Sequence, residues 1–134
     1  MLNSRLIERQ NAMSILYIHL IRHQSISAII EDNEFITEVG DFTPDLSIRK
    51  EMLEVIEHAI ERQEIYALAI NQFLKKWRFD RLSFIEQAIL LIACAELELG
   101  YQEKPIIVNE AVRLAKEFGD DESYKFINGV LDAI

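Results

Sequence analysis

Lys125 and Phe126 stand side by side shortly after three consecutive acids, Asp120, Asp121 and Glu122. An ammonium can meet a phosphate while the neighbouring ring offers its face to an unpaired base, the pairing that single-stranded nucleic-acid sites use. A phenylalanine at the edge of a helix's buried stripe looks the same in sequence, so the residues alone leave both readings open. The acids have a local explanation. Gly119 is expected to stop one helix in the left-handed conformation, and Asp120 or Asp121 to cap the next, where negative charge suits the positive end of the helix dipole.

Other chemistry finds little support. A glutamate-rich helical chain invites a carboxylate-bridged two-metal centre, which needs inward-facing Glu-x-x-His pairs. None of His19, His23 and His58 has a glutamate three residues before it. Cys94 sits inside an apolar run, as a core thiol does, and lacks the nearby cation that activates a nucleophile. Gly-rich phosphate loops, Cys-x-x-Cys and Gly-x-Ser-x-Gly are absent. The expectation is a protein that is not an enzyme and needs neither metal nor cofactor. Two further clusters stay open. Lys75, Lys76, Arg78 and Arg81 surround Trp77, a patch that could touch RNA or simply be exposed. Glu51, Glu54, Glu57, Glu61 and Glu64 recur every three or four residues, as a solvated helix face or as a surface for a basic partner.

The elements that must hold these residues read as helices. Half the chain is hydrophobic, with only four glycines and two prolines in 134 residues, which points to an all-α fold with a core large enough to stand alone. Leu6, Ile7, Met13, Leu16, Tyr17, Leu20 and Ile21 mark an amphipathic helix over 3–23, with Arg5 and Arg9 four apart on one face. A short helix over 25–39 is followed by a turn at 40–44, where Thr43 is the N-cap and Pro44 the first helical residue. A helical period from Leu46 to Trp77 loses phase near Arg62 to Glu64, predicting a break. Ser83 and Glu86 form a capping box opening a helix to about Leu99, apolar all round and hence central and buried. Lys104-Pro105 starts a helix whose stripe is Ile107, Val108, Ala111, Val112, Leu114, Ala115 and Phe118. Ile127, Val130, Leu131 and Ile134 define the stripe of the last helix, with Phe126 at its edge and Lys125 and Gly129 on the same flank.

A net charge of −9 opposes polyanion binding if spread evenly, but residues 31–64 hold eleven acids and three bases. The other hundred residues are nearly balanced. The single cysteine excludes an intrachain disulfide and the chain opens with no signal-peptide pattern, so a reducing cytoplasm is expected. The longest apolar run, Ala88 to Ala95, is eight residues, against the roughly 20 that a membrane span requires.

The segment VNEAVRLAKEFGDDESYKFINGVLD, Val108 to Asp132, resembles the C-terminal signature of the NusB family of bacterial transcription antitermination factors. Asn109-Glu110-Ala111, Leu114-Ala115-Lys116, Phe118-Gly119, Lys125-Phe126 and Asn128 to Asp132 carry the match. Upstream, EQAILLIACAEL (Glu86 to Leu97) is similar to the family's central helix, and RLIERQNAMSILY (Arg5 to Tyr17) to its arginine-rich first helix. The resemblance implies the NusB-like fold, about seven helices in two packed subdomains. One domain over 1–134 would comprise an N-terminal subdomain of about 1–76 and a C-terminal one of about 77–134.

By the same resemblance, the protein would bind boxA-type single-stranded RNA of ribosomal RNA transcripts together with the small-subunit ribosomal protein NusE, and join the RNA polymerase elongation complex through other Nus factors. The RNA surface would combine Arg5, Arg9, Phe118, Asp121, Glu122, Lys125 and Phe126. Tyr17 and Glu86 would face NusE, and a homodimer could cover the same surface. The first helix carries fewer arginines than is common in the family, Glu122 stands where aspartate is expected, and Tyr124 where histidine is frequent. Two alternatives follow: a NusB-like protein-interaction module with weak or lost RNA binding, and the RNA-binding domain of a ribosomal RNA cytosine methyltransferase, though no cofactor-binding domain accompanies it here.

Overall fold

The computed structural model describes residues 4–29, 31, 50–74 and 78–134, and among them the chain is helix and connecting turn throughout. Helix α1 spans Ser4–Arg22 and ends at His23, whose φ of 57° is left-handed and whose N–H donates to the His19 carbonyl at 2.8 Å. Residues 26–29 form a helical turn. Helix α2 covers Lys50–Glu61 and α3 Gln63–Asn71. The expected break falls at Arg62, with φ −105° and ψ 16°. It is a kink, because the Arg62 N–H still donates to the His58 carbonyl and the Tyr66 N–H to that of Arg62, each at 3.0 Å. The 40–44 turn with Thr43 and Pro44, and Lys75, Lys76 and Trp77, lie outside the described residues.

A 3₁₀ turn at Phe79–Arg81 leads into α4, Phe84–Leu99. The capping box forms as the sequence dictates: the Glu86 N–H donates to Ser83 Oγ and the Ser83 N–H to Glu86 Oε1, both at 3.1 Å. Ala88 to Ala95 are all buried, and α4 packs against α1 and α2 as well as the two helices that follow it. Truncating one of its large residues, Leu90 for instance, should cost about 2–5 kcal/mol through lost burial and the cavity left behind. Gly100 ends the helix at φ 72°, where a side chain would be strained, and its N–H donates to the Glu96 carbonyl at 2.9 Å.

Helix α5 runs Lys104–Phe118 with Pro105 in its first turn, and α6 runs Ser123–Ala133. Their buried stripes are Ile107, Val108, Ala111, Leu114 and Ala115 on α5 and Ile127, Val130 and Leu131 on α6. Phe118 and Ile134, expected to continue these stripes, are 36% and 42% exposed, because each lies at the end of its helix or just past it, where the neighbouring helices no longer cover it. Among the described residues, no helix is long and apolar enough to cross a membrane.

Candidate nucleic-acid interface

The turn between α5 and α6 is built around two small residues. Gly119 is extended, with φ −87° and ψ −176°, and not left-handed as the sequence suggested. Glycine is required there for space: a Cβ would lie 2.7 Å from both the Ala115 carbonyl oxygen and Ser123 Cβ. Ser123, 2% exposed, fills the room so created.

Asp120 caps the last helix from outside its first residue. Its Oδ1 accepts the backbone N–H of Glu122 at 3.2 Å and that of Ser123 at 3.1 Å. The Ser123 hydroxyl lies 3.0 Å from that oxygen and 3.1 Å from Glu86 Oε2. Glu86 therefore serves two elements, one oxygen holding the cap of α4 and the other reaching the start of α6. This carboxylate was expected to face a protein partner; within the chain it ties two helix N-termini together.

Around that tie lies a groove of about 400 Å³ lined by Arg81, Leu82, Glu86, Asp120, Glu122, Ser123 and Phe126. Its volume falls in the range that takes a small-molecule-sized group. Phe126 is half-buried against the core, and it also lines the groove. Lys125 is exposed beside it, its Nζ 3.5 Å from Glu122 Oε2 and 5.9 Å from the centre of the Tyr124 ring. Lys116 approaches the same ring at 5.0 Å.

The structure thus brings Glu86, Glu122 and Phe126 together in one groove with Lys125 next to it. Exposed Asp121 belongs to the same turn and Phe118 ends the helix before it, but neither lines the groove. Tyr17 is half-buried on α1 and also lies outside it. Arg5 belongs to the first turn of α1, and its side chain lies outside the described residues.

Arg9 departs from expectation. It is 5% exposed, and its guanidinium grips Glu96 with Nε 3.1 Å from Oε1 and Nη2 3.0 Å from Oε2. A phosphate could reach it only by stripping the partner from a buried glutamate, so Arg9 does not belong to the exposed surface. Sequence reasoning missed this because the partner is 87 positions away in a helix that reads as uniformly apolar. It also passed over Arg81 and Ser123 as groove residues; the connector patch containing Arg81 was the available signal. Cys94 is a core thiol, buried and with its pKa pushed up to about 12 by burial and, secondarily, by the Glu98 charge.

Among the described residues the scaffold is helical, and it gathers a ring face, carboxylates and a cation in one groove at helix N-termini. The chain belongs to the NusB family, whose model matches residues 6–134. It is 38% identical to the transcription antitermination protein NusB of Macrococcus caseolyticus over 132 residues, 98% of this chain and 95% of that one. Among solved structures it is similar to T. maritima NusB, with a TM-score of 0.78 and 26% identity over 99% of this chain and 91% of that one. A crystal structure of the antitermination factors NusB and NusE with double-stranded RNA has the same fold, with a TM-score of 0.78 and 24% identity over 99% of this chain and 96% of that one.

Proposed function

We propose that this chain is a transcription antitermination factor that binds boxA-type single-stranded RNA of ribosomal RNA transcripts together with NusE, and so acts on the RNA polymerase elongation complex with other Nus factors in the cytoplasm. Its work is binding and not catalysis. The observation that carries the reading is the groove in which Phe126 presents a ring between the acidic turn and the 3₁₀ turn, with Lys125 exposed alongside. Phosphate contacts supply affinity there, and stacking with base-edge contacts supplies selectivity. Within this reading the C-terminal subdomain, about 77–134, carries the RNA surface, with Phe118, Asp121 and Glu122 at its acidic turn. Arg5 would extend that surface along α1, and Tyr17 and Glu86 would face NusE.

The test is a titration of labelled boxA RNA with the chain alone and with NusE at about 0.1 M salt. Binding that NusE strengthens and salt weakens is the expected result; absence of binding in both arms would sink the proposal. The burial of Arg9 favours a second reading, a protein-interaction module with weak RNA affinity, since it removes one cation from the first helix. That reading predicts a complex with NusE to which boxA RNA adds nothing.

A further inference from the structure

The kink at Arg62 leaves the cations and the acids around it with different neighbours. His58 and Arg62 both turn to Glu98 at the C-terminal end of α4, with His58 Nε2 2.8 Å from Glu98 Oε1 and the Arg62 guanidinium on the same oxygen. Arg62 also lies 5.9 Å from the centre of the ring of Tyr66, which is buried. Glu57, Glu61 and Glu64 are exposed, and among the described residues no ion pair neutralises them.

Next to these acids α3 shows water an apolar face. Ile65, Leu68 and Phe73 are 51%, 65% and 42% exposed, whereas Tyr66 and Ile70 of the same segment are buried. Backbone hydrogen bonding runs on through Arg62, so a rotation of about 100° per residue carries Glu61, Ile65 and Leu68 along one stripe, with Glu57 and Glu64 at its edge. A helix face that meets only water is polar, and an apolar stripe rimmed by charge marks a face that receives a partner.

Charge decides which partner suits it. A second copy would set these acids against their own counterparts or against the apolar stripe, and a nucleic acid or an anionic lipid surface would be repelled by them. Residues 32–49 of the chain hold five acids and one base and are equally unsuited. A helix with leucine-like residues on one side and lysine or arginine along its edges matches both features, the apolar side on Ile65, Leu68 and Phe73 and the cations on Glu57, Glu61 and Glu64.

We propose that the outer face of α2 and α3 around Glu61 and Leu68 is a docking surface for a basic amphipathic helix of a partner protein. None of its residues lines the groove of the RNA reading, so the two assignments stand or fall separately.

The probe is a synthetic peptide of about five helical turns, with leucine at helical spacing and lysine elsewhere, titrated against the full chain by fluorescence anisotropy. A scrambled peptide of the same composition is its control. The amphipathic peptide should bind at least roughly tenfold more tightly than the scrambled one, and Leu68→Gln should weaken it roughly tenfold, as loss of one apolar anchor does. Glu61→Lys combined with Glu64→Lys should weaken it as much and remove most of its salt dependence. Asp132→Lys, at an exposed position on α6, should leave binding unchanged. Because Leu68 already faces water, Leu68→Gln should keep the wild-type urea midpoint. Equal binding of both peptides, wild-type affinity in Leu68→Gln, or a lowered midpoint in that variant would overturn the proposal. Loss of NusE binding in Leu68→Gln would assign the face to NusE, and a dimer in sedimentation that Leu68→Gln dissolves would assign it to a second copy; either result equally overturns it.

Discussion

Arg9 on α1 and Glu96 on α4 face each other with near-parallel contacts of 3.1 and 3.0 Å, both side chains almost wholly withdrawn from water. The arrangement is bidentate, the geometry in which a guanidinium and a carboxylate are best matched. Both charges have lost hydration, so the pair is costly to separate even if its net contribution to stability is small.

Arg9→Ala should therefore destabilise the chain by about 3–5 kcal/mol, because it strands a buried carboxylate. Arg9→Met combined with Glu96→Leu should recover most of that loss by replacing the pair with apolar groups of similar size. Urea unfolding measures both. A loss below about 1 kcal/mol in the single variant would mean that water reaches the pair. The double variant should also bind boxA RNA like wild type, since Arg9 is not on the exposed surface.

Phe126→Leu keeps apolar contact with the core but removes the ring face from the groove. It should weaken RNA binding by about 1–3 kcal/mol, the range for loss of one base stack, while shifting the unfolding midpoint little. Lys125→Gln should weaken binding by a similar amount and flatten the salt dependence. Fluorescence titration in a salt series reads both. A Phe126→Leu variant with wild-type affinity would leave the ring with a packing role alone.

What the sequence revealed and what it hid follow from the range of the forces involved. The capping box at Ser83 and Glu86, the kink at Arg62 and the start of α5 at Lys104-Pro105 depend on neighbours within one helical turn, and all appear where the pattern places them. Arg9 was misread because an amphipathic wheel assigns a charged residue to water unless a distant partner is known. Gly119 was misread for a related reason: a glycine after a helix usually signals handedness, whereas here Ser123 crowds the position. The groove is assembled from the 3₁₀ turn, the first turn of α4 and the turn before α6, and no single stretch of sequence contains it.

Two glycines should respond to alanine with opposite signs. At Gly119 the new Cβ meets a backbone oxygen and Ser123 within 2.7 Å, so Gly119→Ala should cost about 1–3 kcal/mol as the turn shifts. At Gly129, exposed in the middle of α6, a Cβ meets nothing within 4 Å. Gly129→Ala should stabilise by about 0.5–1 kcal/mol through helix propensity. Thermal melts of the two variants check the signs. An RNA affinity that falls in Gly129→Ala despite its higher melting temperature would mark that bare backbone as ligand surface.

Alkaline unfolding should report Cys94. Its pKa rises from 9.0 to about 12, chiefly through burial, so between those values the folded chain keeps a proton that the unfolded chain has lost. The stabilisation is complete below pH 9 and is lost as the pH rises towards about 12, at about 1.4 kcal/mol per pH unit. Tyr66, raised from 10.0 to about 12 mainly by burial, adds to the loss in the upper part of that window. Urea midpoints at about pH 8 and about pH 10.5 should differ less for Cys94→Ala than for wild type. Identical differences would show that the thiol is not what titrates.

The Tyr101 hydroxyl donates to Glu54 at 2.6 Å, which pins the outer acidic face of α2 to the C-terminal end of α4, whereas the groove lies at the N-terminal end around Glu86. From Glu86 to Gly100 the helix advances about 20 Å, and the Debye length in physiological salt is about 8 Å. An RNA strand in the groove, as proposed, would lie about two screening lengths or more from the Tyr101–Glu54 contact. The net charge of the chain would slow its first approach in dilute buffer and have little influence once it is bound.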